Sequence, residues 1–72
     1  MWEEFAGTIK DYKESDQRLI KKAFLLAERA HKGQTRASGE PYIIHPVTAT
    51  QTVVHMHLDA ITIAATLLHD VL

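Results

Sequence analysis

"AITIAATLLHDVL", residues 60–72, decides the fold. Ile61, Ile63, Ala64, Ala65, Leu67, Leu68, Val71 and Leu72 make it apolar nearly all round, and Asp59 just before it is a good helix N-cap. A helix with that profile needs cover on more than one side, so it belongs at the centre of a bundle. Near its end it carries His69 and Asp70, two adjacent side chains of metal-ligating type.

Working upstream, the other segments supply partners for this helix. Residues 16–32, "DQRLIKKAFLLAERAHK", place Ile20, Phe24, Ala27 and His31 on one stripe, with Lys21, Lys22, Glu28 and Arg29 off it. Ser15 is the expected N-cap of this helix and Gly33 its stop. A shorter first helix is expected over 2–13, where Trp2, Phe5, Ile9 and Tyr12 recur at spacings of three and four. Residues 33–44, "GQTRASGEPYII", read as a loop. Pro46 suits the first position of the next helix, whose β-branched run "VTATQTVV" is a local weakness that packing has to override. No strand pattern competes, and the class is all-α: a helical bundle in one domain over residues 1–72.

Composition narrows the function. A chain of 72 residues buries only about 60% of the surface its unfolded form exposes, and without cysteine it has neither a disulfide nor a thiolate metal site to reinforce it. Eight basic against nine acidic residues leave a net charge of −1, which gives no electrostatic footprint for DNA or RNA. No stretch approaches the roughly 20 apolar residues of a membrane span. The residues before Trp2 and after it, "MWEEFAGTIK", do not form a signal peptide. The expected location is cytoplasmic.

Five histidines in a chain this short point to metal or proton chemistry. Imidazole and carboxylate at 69 and 70 diverge by about 100° around a helix axis and can still reach one ion beside the helix. A His-Asp pair alone is more often structural than functional. His45 gives it a third partner: if "HLD" at 57–59 is a tight turn, the last two helices are antiparallel. His45 then begins one at the end where His69 finishes the other. Taken alone, His45 is equally a helix-entry cap. Arg36 stands in the glycine-containing loop that leads to the same end, where a guanidinium can hold phosphate or stack on a base, although most loop arginines simply face water. Ser38, Tyr42 and Lys32 are weaker candidates. His31 reads as a hydrogen-bonded core residue, and His55 and His57 as residues of the opposite helix end, outside the metal set.

Together, "AHKGQTRASGEPYIIHP" (30–46) and "LDAITIAATLLHDV" (58–71), with 24 residues between His45 and His69, resemble the N-terminal hydrolase domain of the RelA/SpoT homologues. The likeness covers residues 15–72. It implies an all-α HD phosphohydrolase that removes the 3′-pyrophosphate of the alarmone ppGpp. The divalent cation is usually Mn²⁺, which lowers the pKa of a water and neutralises developing phosphoryl charge. By motif match the resemblance makes His45, His69 and Asp70 metal ligands, sets Arg36 against the guanine base and lines the nucleotide site with Ser38. It also implies that the sequence stops short of the family's Glu-Asp pair, a fourth ligand aspartate and a nucleotide-contacting asparagine. The expectation is therefore the front of a hydrolase domain, inactive as an isolated chain. Two alternatives stand beside it. One is a non-catalytic helical module that self-associates through the apolar last helix. The other is an HD phosphohydrolase for another nucleotide.

Overall fold

The computed structural model describes residues 2–69 and 71. Among them the chain forms four helices: α1 (Trp2–Thr8), α2 (Glu14–Ala30), α3 (Ile44–His55) and α4 (Ala60–Leu68). The α-helical bundle expected from the sequence is what the residues build. No helix among the described residues is long and apolar enough to cross a membrane.

α4 packs against α2 and α3, and α1 lies across α2 and α3. Ala60, Ile63, Ala64 and Leu67 of α4 are buried. They meet a core made by Phe5, Ile9, Ile20, Ala23, Phe24, Ala27, Val47 and Val54. The apolar character that pointed to self-association is thus largely used inside the chain, although Ile61 stays 72% exposed. At the other side of the core, Trp2 stands edge-on to Phe24 at 5.2 Å and Phe5 lies 5.5 Å from the same ring. Edge and tilted pairs of this kind suit the quadrupoles of the rings. The Lys21 ammonium lies over the Trp2 ring, 5.8 Å from its centre, a cation–π contact.

Helix boundaries follow local chemistry, with three departures from expectation. α1 ends at Thr8, whose hydroxyl donates to Phe5 O at 2.6 Å; the remaining residues up to Tyr12 turn rather than continue the helix. α2 begins at Glu14, and its N-cap is Lys13 in an extended conformation with no side-chain cap. Ser15 therefore lies inside the first turn and caps nothing. The Gln17 side chain compensates by donating to the carbonyls of Lys10 and Tyr12, at 3.2 and 2.6 Å, which ties the α1–α2 turn to the helix. α3 begins at Ile44, two residues before Pro46. Pro46 still falls among the first four residues, whose N–H groups have no partner within a helix, so its ring costs no hydrogen bond.

The α3–α4 connection is short. Met56 closes α3, and His57 takes a left-handed φ of 56°, which an L-residue adopts only at a cost. Leu58 O accepts a 2.6 Å hydrogen bond from the Tyr12 hydroxyl, 46 residues away in sequence. Asp59 caps α4 as its position predicts, its Oδ1 accepting from Thr62 N at 2.8 Å. With four residues between them, α3 and α4 pack side by side and antiparallel.

Candidate functional site

Residues 34–42 are more ordered than a loop reading implies. Thr35 and Pro41 form an isolated antiparallel bridge. Arg36 N donates to Glu40 O at 2.9 Å, Gly39 N to Arg36 O at 2.8 Å, and Tyr42 N to Gln34 O at 2.9 Å. Gly39 closes the turn at φ 89°, a conformation that glycine adopts without a Cβ penalty. The result is a small hairpin with Arg36, Ala37, Ser38 and Gly39 at its tip. The Ser38 hydroxyl lies 3.4 Å from Glu40 Oε1 across that tip.

The hairpin leads directly into the start of α3. Its Arg36 guanidinium places Nη1 3.4 Å from His45 Nδ1. Guanidinium only donates, so Nδ1 of His45 is the acceptor and the neutral ring carries its proton on Nε2. Tyr42 brackets the same imidazole from another side, ring edge to ring face at 6.4 Å and 71°. His45 is exposed at this end of α3.

His69 is the residue immediately after α4 and acts as its C-cap. Its Nδ1 sits 2.6 Å from Thr66 O. A carbonyl oxygen only accepts, so Nδ1 carries the proton and the lone pair is on Nε2. This is the tautomer a metal-ligating histidine adopts when a backbone carbonyl orients it. His69 also lines a surface groove between α3 and α4 with Ala49, Val53, Ala65 and Thr66. Ala49 is one helical turn beyond His45, so the groove runs along the face of α3 that His45 begins.

Arg36, Ser38, His45 and His69 therefore belong to one end of the α3–α4 pair. Asp70, expected as a ligand beside His69, lies outside the described residues. Among the described residues no three histidine or acidic side chains stand close enough to hold an ion. The donor chemistry fits a cation unequally. His69 presents the right tautomer, whereas the His45 lone pair points at a cation already, the guanidinium of Arg36. Loading this end with a metal requires Arg36 to leave His45 or the imidazole to turn over.

The remaining histidines separate as the sequence suggested. His55 and His57 share a cleft with Thr8, Asp11, Tyr12 and Gln51 at the opposite end of α3. His31 is buried at 6% exposure and stacks on Tyr42, 4.5 Å between ring centres and 30° from parallel. That pairing joins the α2 terminus to the hairpin, and the sequence did not reveal it. The two residues are eleven apart in a segment without helical or strand periodicity, so no spacing rule connects them.

A family model described as an HD domain matches residues 23–72. The bifunctional (p)ppGpp synthase/hydrolase SpoT of Escherichia coli K12 is 45% identical over 73 residues, which covers 100% of this chain and 10% of that protein. A guanosine-3′,5′-bis(diphosphate) 3′-pyrophosphohydrolase of Vibrio cholerae is 51% identical over 53 residues, covering 74% of the chain and 8% of the relative. A GTP pyrophosphokinase of Streptomyces antibioticus is 48% identical over 56 residues, covering 78% of the chain and 7% of the relative. The chain spans about a tenth or less of the length of these curated relatives.

Proposed function

The chain belongs to the HD domain family, and from that we propose that it is the front portion of a metal-dependent ppGpp 3′-pyrophosphohydrolase. What supports the proposal is the Arg36–His45 contact at the start of α3, beside an α4 that ends in a His69 ring oriented by the Thr66 carbonyl. Relatives that match the whole chain carry the name of that activity, and the matched segment includes the hairpin as well as His69-Asp70. It is the hairpin that favours an alarmone over another nucleotide.

In this reading His45, His69 and Asp70 hold a divalent cation, Mn²⁺ by resemblance. When bound, the cation acidifies a water and offsets charge on phosphoryl oxygens. The chain's own residues do the rest of the work at this end. The Thr66 carbonyl fixes the His69 ring with Nε2 as its donor atom. Arg36 swings between two partners of opposite demand: the His45 lone pair in the structure, and the base of a guanine nucleotide when substrate is present. Its planar guanidinium is suited to stacking on a base or pairing with phosphate oxygens, and Ser38 at the hairpin tip offers a hydroxyl to the same ligand. In cells the site works in the cytoplasm.

A chimera tests this. The 73-residue segment of E. coli SpoT that aligns with this chain is replaced by residues 1–72, and Mn²⁺-dependent release of pyrophosphate from ppGpp is measured. The chimera retains hydrolysis, and His69→Ala or Asp70→Ala within it abolishes hydrolysis. A chimera that folds but hydrolyses equally well with both substitutions would show the ligand assignment to be wrong.

A further inference from the structure

His31 is buried, and its two nitrogens have different fates. The Gln34 side chain orients the first: Gln34 Nε2 donates to Ala30 O at 3.3 Å, so Gln34 Oε1 is the atom that faces His31 Nδ1 at 3.1 Å. Nδ1 is therefore the protonated nitrogen and donates. Nε2, left with the lone pair, is buried with no hydrogen-bond partner among the described residues. A phenylalanine would fill the same space and stack on the same tyrosine without stranding a buried acceptor. What only the imidazole supplies here is the Nδ1–H bond to Gln34.

That bond closes a ring of contacts. His31 holds the Gln34 side chain, and Gln34 N donates back to His31 O at 2.9 Å. Gln34 O accepts from Tyr42 N across the neck of the hairpin, and the Tyr42 ring returns to stack on His31. Beyond the ring, Tyr42 O accepts from His45 N at 3.1 Å, and the Tyr42 ring edge approaches the His45 imidazole. A hairpin with one isolated bridge is marginal on its own, because two strands lack a face to bury. Its order has to come from an anchor on the bundle.

We propose that His31 is the positioning residue of the 34–42 hairpin: through Gln34 and Tyr42 it fixes the hairpin to the end of α2 and holds Arg36 in register with His45. What the hairpin faces, a guanine nucleotide, rests on the function proposed above; the latch itself does not. His31 touches neither substrate nor metal in this account and acts only through Gln34 and Tyr42.

The test is NMR on the 72-residue chain, with amide hydrogen exchange at Arg36, Gly39 and Tyr42 compared with Ala23, Phe24 and Ala27 of α2. His31→Leu removes both stack and bond, His31→Phe keeps the stack alone, and Tyr42→Leu breaks the stack from the half-buried side. In His31→Leu and Tyr42→Leu, exchange at the hairpin amides rises tenfold or more and the Arg36–His45 cross-relaxation disappears, while the α2 amides change less than twofold. His31→Phe restores part of the hairpin protection. Hairpin amides and Arg36–His45 contact that stay as in the wild type in both leucine variants overturn the proposal. Equal acceleration of hairpin and α2 amides in both also overturns it, since His31 would then be core packing only. Titration with GDP separates the two readings. If the latch variants behave as stated but GDP moves no hairpin resonance in the wild-type chain, the latch stands and the nucleotide assignment fails.

Discussion

Arg36, at the tip of the hairpin, and His45, at the start of α3, are partners, with Nη1 3.4 Å from Nδ1. The contact puts a fixed positive charge beside the imidazole proposed to bind a cation. Arg36→Ala removes that charge, and Mn²⁺ affinity at this end should rise about three- to tenfold at low ionic strength, with the gain shrinking as salt is added. Guanine-nucleotide affinity should fall in the same variant. Calorimetric titration with Mn²⁺ and, separately, with GDP reads both signs. Both residues are exposed, so stability should change by less than about 0.5 kcal/mol.

Phe24 of α2 is fully buried, with Trp2 and Phe5 of α1 against its ring. Phe24→Ala should cost about 3–5 kcal/mol, a large fraction of what a domain this small possesses. Leu25, its neighbour in sequence, is 45% exposed, and Leu25→Lys should stay within about 0.5 kcal/mol. Urea unfolding followed by Trp2 fluorescence measures both.

His57 occupies a left-handed position that glycine would occupy without a Cβ penalty. His57→Gly should stabilise the chain by about 0.5–1 kcal/mol, raising Tm by roughly 3–6 °C, while a β-branched His57→Val lowers it. Because His57 lies at the far end of α3 from His45, neither change should alter Mn²⁺ affinity.

Thr62, through its side chain and its N–H, holds the Asp59 carboxyl below the usual carboxylate range. A folded-state value below the unfolded one means the stabilisation is complete above the unfolded pKa. It is lost as pH falls through the lower folded value, because the protonated cap no longer serves as a charged acceptor. Asp59→Asn keeps a good cap without a titrating group. Its thermal stability should therefore depend less on pH on the acid limb, below about pH 4, than that of the wild type. Scanning calorimetry between acid and neutral pH checks this.

The helical frame was legible because burial writes a period into sequence. Ile20, Phe24 and Ala27 are buried as their spacing requires, and Asp59 caps α4 as a short acceptor before an apolar run should. Ser15 misled because the Gln17 side chain, donating to the Lys10 and Tyr12 carbonyls, settles the helix start two residues earlier, at Glu14. Pro46 misled by two residues because any position in a first turn tolerates it. Arg36, Ser38, His45 and His69 could be singled out by residue type and spacing; the structure sets Arg36 against His45, Ser38 beside Glu40 at the hairpin tip and His69 at the end of α4. The Arg36–His45 contact and the His31–Tyr42 stack could not be read ahead. Both depend on a hairpin held by backbone bonds, whose sequence signal is little more than its glycine and proline.

The most direct test of the account is Mn²⁺ titration of the chain, read by paramagnetic broadening of the five histidine Hε1 resonances. His45 and His69 should broaden together at the lowest Mn²⁺ additions, ahead of His31, His55 and His57, and His69→Ala should abolish the effect at His45. Broadening that begins at His55 and His57, or that persists at His45 in His69→Ala, would contradict a cation site shared between the start of α3 and the end of α4.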